Sequence, residues 1–351
     1  MKKNSLISLL MPILFSANIF QTGAQNITAK VSARPPEGTA VLITGAAARI
    51  PQEAALLESL YNNGMLHHVV FIAGVSSGAL NTVMLNAILT KKITWNEYRN
   101  ILFNINDSDI YRSKDKKLPV DTAPLKSLLT SILHDKLGYF RIGDLPVPSA
   151  ISITDIDILK LIRRNYRLSN LKINPESDPS LDLVEILMAS TAFPIVFPGV
   201  RIDNAPTLPD HDFIDGGLVD DHVPYTSLLQ FIKYRGQSVD TVIIVSRKSV
   251  LHPDLSEELL TLGINDKGLM DKLGISPEDF LMSAFIKGLR SLQKEAPDLA
   301  KRTLVYIPDF EQNFLMLNFN DLEEQYRTTS EWAARNKPVS LEQFLNSEEK
   351  K

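Results

Sequence analysis

Cysteine is absent from the 351 residues, which excludes disulfides, thiolate catalysis, cysteine-ligated metals and a lipid-modified cysteine at an export cleavage site. Also missing is any Pro/Gly/Ser-rich linker or block of like charge in the middle of the chain. Nothing therefore marks a boundary, and 39–351 reads as one domain. Beyond the N-terminal region no apolar run approaches the roughly 20 residues that a helix needs to cross a bilayer. An excess of basic charge is lacking too: the formal charge is −4, and it falls to −6 without Lys2 and Lys3, the only charged side chains in the first 24 residues. Nucleic acid is not an expected partner.

What is present is an ordinary globular composition, 44% hydrophobic and 22% charged, preceded by an export pattern. Lys2 and Lys3 lead into an apolar run from Leu6 to Phe20, followed by Thr22-Gly23-Ala24. This predicts a signal peptide over 1–24 and a polar lead-in over 25–38, with delivery to the periplasm or the medium. The segment 39–43 reads as a buried strand, Thr44 to Ala48 as a small-residue turn, and 52–62 as a helix stopped by Asn63-Gly64. A second strand over 69–73 runs into Gly74-Val75-Ser76-Ser77-Gly78, and a helix follows. Strand, turn, helix, twice over, is the opening of an α/β fold with a mostly parallel central sheet sandwiched between helices.

Further along, Thr94-x-x-Glu97 has the form of a capping box, and apolar residues from Leu125 to Leu133 form one helical face that ends at Gly138. Strand alternation is expected over 150–159, a helix over 181–189, and strands at 213–214, 241–245 and 304–307. Ser276-Pro277-Glu278-Asp279 reads as the cap of a helix with an apolar stripe at Leu281, Phe285, Leu289 and Leu292.

Gly-x-Ser-x-Gly between a buried strand and a helix start has the context of a nucleophile elbow. The sharp turn exposes the Ser76 hydroxyl, Gly74 and Gly78 let strand and helix pass closely, and backbone N–H groups at the helix start face negative charge on a substrate oxygen. The chain before the elbow holds only one strand and one helix, too little for the Ser-Asp-His order of α/β-hydrolases.

These residues resemble the patatin-like phospholipases. The resemblance rests on four landmarks in order: the loop Thr44-Gly45-Ala46-Ala47-Ala48-Arg49 after the first strand; the elbow Gly74 to Leu80; Asp121-x-x-Pro124-Leu125 and Ala189-Ser190-Thr191-Ala192-Phe193-Pro194; and Asp215-Gly216-Gly217. It implies a three-layer fold and an exported lipid acyl hydrolase, a phospholipase or carboxylic ester hydrolase. It implies Ser76 as nucleophile, Asp215 as its base, and N–H groups of Gly45, Ala46, Ala47 and Ala48 as the oxyanion hole. Arg49 would be the loop's cation or a structural ion pair, with Gly216 and Gly217 supporting the aspartate. Phospholipid or another acyl ester is the implied substrate, with contact to a membrane surface and without a cofactor or metal.

The chain departs from that family at two places. Its loop carries alanine at 46 and 47 where the family is rich in glycine, and alanine resists positive φ. A distorted hole would leave a catalytically impaired scaffold that binds lipid or a partner. The acidic, histidine-containing group Asp210, His211, Asp212, Asp220, Asp221 and His222 reads as solvated turn residues rather than a metal site, because strand alternation would divide it between two faces. A third reading is a Ser-His-Asp esterase using His222 or His252.

Overall fold

The computed structural model describes residues 37–113, 117–157, 162–218, 221–248 and 277–350. The expected signal peptide, nearly all of the lead-in, Asp220, His252 and the helix-capping Ser276 lie outside them. The strands are β1 Thr39–Ile43, β2 Val69–Val75, β3 Ser149–Asp157, β4 Ile162–Ser169, β5 Val200–Arg201, β6 Asp212–Asp215, β7 Thr241–Val245, β8 Thr303–Tyr306 and β9 Val339–Ser340. They form one sheet in the order β5-β6-β3-β2-β1-β7-β8-β9, with β4 also paired to β3.

The central pairs β3-β2, β2-β1, β1-β7 and β7-β8 are parallel, whereas β4, β5, β6 and β9 join antiparallel. The sheet is therefore mostly parallel at its centre, as expected. The β3-β4 hairpin is an addition that the alternation over 150–159 did not reveal.

The helices are α1 Ile50–Asn62, α2 Ser77–Leu89, α3 Trp95–Phe103, α4 Asp107–Ile110, α5 Ala123–Thr130, α6 Leu183–Ser190, α7 Tyr225–Arg235, α8 Pro277–Glu295, α9 Pro297–Ala300, α10 Leu322–Ala333 and α11 Leu341–Glu348. Their starts follow local chemistry. Thr94 and Glu97 form the expected capping box on α3, and Asp182 accepts from the Glu185 N–H at 2.9 Å on α6.

Alternate residues of the central strands divide between two cores. Val41, Ile43, Ile72, Ile243 and Val245 belong to one, with α1, α2, α3, α5 and α6. Ala40, Leu42, Phe71, Ala73, Val242 and Ile244 belong to the other, with α7, α8 and α11. A sheet covered on both faces requires continuous apolar runs such as Thr39–Ile43, and leaves only the strand ends open for chemistry.

One helix differs from its expected form. The apolar face at Leu125, Leu128, Leu129, Ile132 and Leu133 continues past α5, but Ser131–Leu137 is wound as a π-helix, closed by Gly138 at φ 65°. The spacing of apolar residues over these two turns is compatible with either winding.

Candidate active site

Ser76 stands between β2 and α2 at φ 57°, ψ −132°, a region that non-glycine residues avoid and that is held only when the surroundings impose it. Three contacts do so. A methyl group built on Gly74 would lie 2.2 Å from the Gly78 carbonyl oxygen, and one on Gly78 would lie 2.2 Å from that of Thr44 and 2.5 Å from that of Ile43. The elbow helix thus rests directly on the end of β1, and a Cβ at either position would displace backbone. The third contact is Ser190, whose buried hydroxyl accepts from the Ser76 N–H at 2.9 Å and donates to the Ser152 carbonyl at 2.8 Å. The sequence places Ser190 within the motif 189–194 but gives it no role.

The loop after β1 passes beside this serine: a methyl group on Gly45 would be 2.9 Å from Ser76 Cβ and 3.4 Å from its Oγ. Ala46 keeps negative φ, at −136°, but Ala47 adopts φ 49°. The left-handed turn is therefore made by an alanine, at a cost of roughly 1–2 kcal/mol. Two clamps hold it there. The Ala46 N–H donates to Ser77 Oγ at 2.7 Å, and the Ala48 N–H donates to the Met316 carbonyl at 2.8 Å. Of the four N–H groups expected to be open to substrate, those of Ala46 and Ala48 are thus engaged; those of Gly45 and Ala47 have no partner among the described residues.

Register explains how Asp215 reaches this point. Val75 pairs with Ser152 and Ile153 pairs with Asp215, so Ser76 and Asp215 stand at the same height on either side of β3. Two strand spacings amount to roughly 9–10 Å, a gap that the two side chains close from opposite sides. Ser76 and Asp215 come together on the wall of one small cavity, and the serine hydroxyl helps to hold the carboxyl down. The carboxylate also accepts from the Gly217 N–H at 2.8 Å, and the Asp215 N–H donates to the Ala192 carbonyl at 3.1 Å. Gly216 has to be glycine because the chain crosses β3 there: a methyl group would lie 2.5 Å from the Ser152 carbonyl oxygen. Asp215 is 4% exposed, and burial pushes its carboxyl from 3.8 up to about 6 against the opposing pull of the Ser76 hydroxyl and the Gly217 N–H.

Family comparison fits this geometry. The profile described as "Patatin-like phospholipase" matches residues 41–229, a span that runs from β1 through the elbow and Asp215 into α7. The chain belongs to this family.

Its members are generally lipid acyl hydrolases. No curated protein matches significantly. Among solved structures, VipD from Legionella pneumophila is similar at 10% identity over 85% of this chain and 67% of that one, with a TM-score of 0.38. The type III effector ExoU is similar at 11% identity over 90% of this chain, with a TM-score of 0.36, and the chain spans 54% of its length. The ExoU-SpcU complex from Pseudomonas aeruginosa aligns at 17% identity over 76% of this chain and 59% of that one, with a TM-score of 0.28.

Two cavities meet at Ser76. The larger, of about 100 Å³, is almost wholly apolar and runs from Ser76 between Leu80 and Val83 of α2, Leu102 of α3, Leu129 of α5 and Leu187 of α6. Ile132 and Leu133 of the π-helix and Leu317 and Phe319 from the segment 314–319 complete its wall. The smaller, of about 20 Å³, lies on the other side, beside Asp215, His222, Arg247 and Met316. Ala47, Ser76 and Phe193 border both. Leu281 of the α8 stripe lines the smaller cavity, and Phe285, Leu289 and Leu292 are packed in the core.

The remaining expected residues fall out differently. Arg49 is buried, not solvated, and donates to the Lys248 carbonyl at 3.2 Å. His222 is buried with Nδ1 3.3 Å from the Gly217 carbonyl oxygen and lines the smaller cavity together with Ser76 and Asp215. Asp210, His211 and Asp212 are exposed; Asp212, expected in a turn, is instead the first residue of β6, paired with Arg201.

Asp221 corrects the expectation: it is fully buried, held by Arg167 Nε and Nη2 at 2.8 Å each and by the Ser152 hydroxyl at 2.9 Å. This two-pronged pair fastens the chain just after Asp215 to β4 and β3. Arg167→Ala, by stranding a buried carboxylate, is expected to destabilise the fold by about 3–5 kcal/mol, which urea denaturation of the variant would measure.

Proposed function

We propose that the chain is an exported serine acyl hydrolase that cleaves phospholipids or related acyl esters through a Ser76-Asp215 dyad and an acyl-enzyme. The observation that carries this reading is the placement of the buried Asp215 carboxyl beside Ser76, at an elbow bordered by an apolar cavity. The acyl chain occupies that cavity and the alcohol portion of the ester lies toward the smaller one, where Arg247 and His222 add polarity.

Ser76 Oγ attacks the carbonyl carbon as its proton passes to Asp215, and the carbonyl oxygen becomes an oxyanion held by the N–H groups of Gly45 and Ala47. The tetrahedral species collapses, the C–O bond to the alcohol breaks, and Asp215 returns the proton to the departing oxygen. Water then repeats the sequence: Asp215 takes its proton, hydroxide attacks the acyl-enzyme, the fatty acid leaves, and the proton goes back to Ser76 Oγ.

An unburied aspartate is a weak base for a hydroxyl. A carboxyl pushed up to about 6 is better matched, and still ionised at neutral pH. The scaffold reading requires a collapsed oxyanion loop. Ala47 instead holds the left-handed turn that the alanines were expected to resist, which favours catalysis. The N-terminal pattern of lysines, apolar run and small residues supports export, and the absence of thiols suits an oxidising compartment.

The test is to treat the protein with a fluorophosphonate and locate the adduct by peptide mass, while measuring fatty-acid release from phosphatidylcholine vesicles. Phosphonylation at Ser76 with matching loss of release is the expected result. An unlabelled serine, or release that labelling leaves untouched, would overturn the proposal.

A further inference from the structure

One buried carboxyl has no part in the reaction proposed above. Glu53 of α1 is fully enclosed, with one carboxyl oxygen 3.3 Å from Thr44 Oγ1 and the other accepting from Asn81 Nδ2 at 3.0 Å. Thr44 is the residue immediately before Gly45, and its hydroxyl shares a 2.7 Å hydrogen bond with Ser246 just past β7. Asn81 lies on the elbow helix, and its amide oxygen accepts from Tyr98 OH at 2.6 Å. Tyr98 lines the apolar cavity. A single carboxyl therefore joins the strand that feeds the oxyanion loop, the helix that carries the serine and the wall of the acyl cavity.

The charged and titratable groups around it come from three directions. Arg49 approaches from the turn before α1, Arg247 from the chain after β7, and the Tyr98 phenol from α3. Burial pushes the phenol far up, so that it stays neutral. Burial also outweighs both guanidinium groups and both hydrogen bonds at Glu53, pushing its carboxyl up to about 8. At neutral pH the side chain is mainly protonated, with one O–H to donate and oxygen left to accept.

We propose that Glu53 is a positioning residue whose neutral carboxyl ties Thr44 to Asn81 and so fixes the distance between the Gly45 and Ala47 N–H groups and Ser76. This deepens the dyad reading and rests on it. The protonated carboxyl gives its hydrogen to Thr44 and accepts from Asn81. When ionised it can only accept, so Thr44 must turn its hydrogen away from Ser246, and a negative charge appears behind the loop where an oxyanion is to form. Turnover accordingly falls as pH rises through about 8, on the opposite side of the profile from the rise through about 6 that Asp215 produces.

The experiment measures kcat and KM on a soluble short-chain ester from pH 5 to 10, with melting temperatures, for wild type, Ser76→Ala, Glu53→Ala, Glu53→Gln and Thr44→Val. Glu53→Ala and Thr44→Val are expected to lower kcat by about 10- to 100-fold, part of the loss typical of a missing oxyanion donor, with KM changed less than about twofold. Glu53→Gln, which keeps a donor and an acceptor at the same place, recovers most of the neutral-pH kcat and loses the alkaline decline. If Glu53→Ala does not fold, Thr44→Val, which removes the hydroxyl without removing volume, decides the matter. Wild-type kcat in Thr44→Val, or an alkaline decline that persists in Glu53→Gln, overturns the role of Glu53 while leaving the dyad standing. Turnover that does not depend on Ser76 overturns the dyad, and the role of Glu53 with it.

Discussion

Ser76→Ala is expected to erase fluorophosphonate labelling and to lower kcat on an ester by on the order of 10⁴- to 10⁶-fold, with the fold intact. The elbow does not need the hydroxyl in order to form. Its φ of 57° is imposed by the Gly74-Gly78 and Gly78-Thr44 contacts and by the Ser190 hydroxyl, all of which survive the substitution. What the variant loses is the proposed nucleophile and one of the two groups that hold the Asp215 carboxyl down against burial. The Asp215 carboxyl should therefore titrate above its present value of about 6, which carboxyl-resolved NMR of the variant would detect. Residual turnover within tenfold of wild type would mean that another group attacks the ester.

Asp215→Asn is expected to cost on the order of 10⁴-fold in kcat and at the same time to stabilise the protein. The sign follows from the direction of the shift. A carboxyl raised in the fold from 3.8 to about 6 contributes its full stability below pH 3.8 and loses it progressively as pH climbs through 6. By pH 7 the deficit is of order 3 kcal/mol. An amide cannot ionise, so the variant should melt a few degrees above wild type at pH 7 to 8, and this advantage should shrink toward pH 4. Calorimetry at the two ends of that range checks it. A variant less stable than wild type at every pH would show that the carboxylate is better solvated than its burial implies. The same titration predicts that wild-type kcat/KM falls on the acid side through about 6.

Much of this architecture is legible in local pattern. The strand 241–245 and the capping box at Thr94 lie where spacing puts them, because each is decided by residues within one or two turns of itself. The elbow is equally local, since glycines at 74 and 78 state that two backbones must touch. What pattern misses is decided by distant partners. Asp221 reads as a solvated turn residue until Arg167, 54 positions earlier, is seen to grip it. The two oxyanion-loop amides that are engaged are engaged by Ser77 and by Met316, the latter far along the chain, so no inspection of 44–49 could tell Ala46 and Ala48 from Gly45 and Ala47. Glu53 falls within the apolar spacing of α1 and reads there as just another polar side chain. Only the fold encloses it between Thr44 and Asn81.

Phe193, together with Ala47 and Ser76, forms the common border of an oily compartment and a smaller one that Asp215, His222 and Arg247 reach. Preferences for the two halves of an ester can consequently drift apart over evolutionary time. Exchange of leucines along α5 would retune which fatty tails are accepted without touching the residues that meet the alcohol. Replacement near Arg247 would alter the alcohol repertoire while the tail compartment stayed as it is. An ancestor with this partition could give rise to descendants that differ in one half of their substrate and agree in the other.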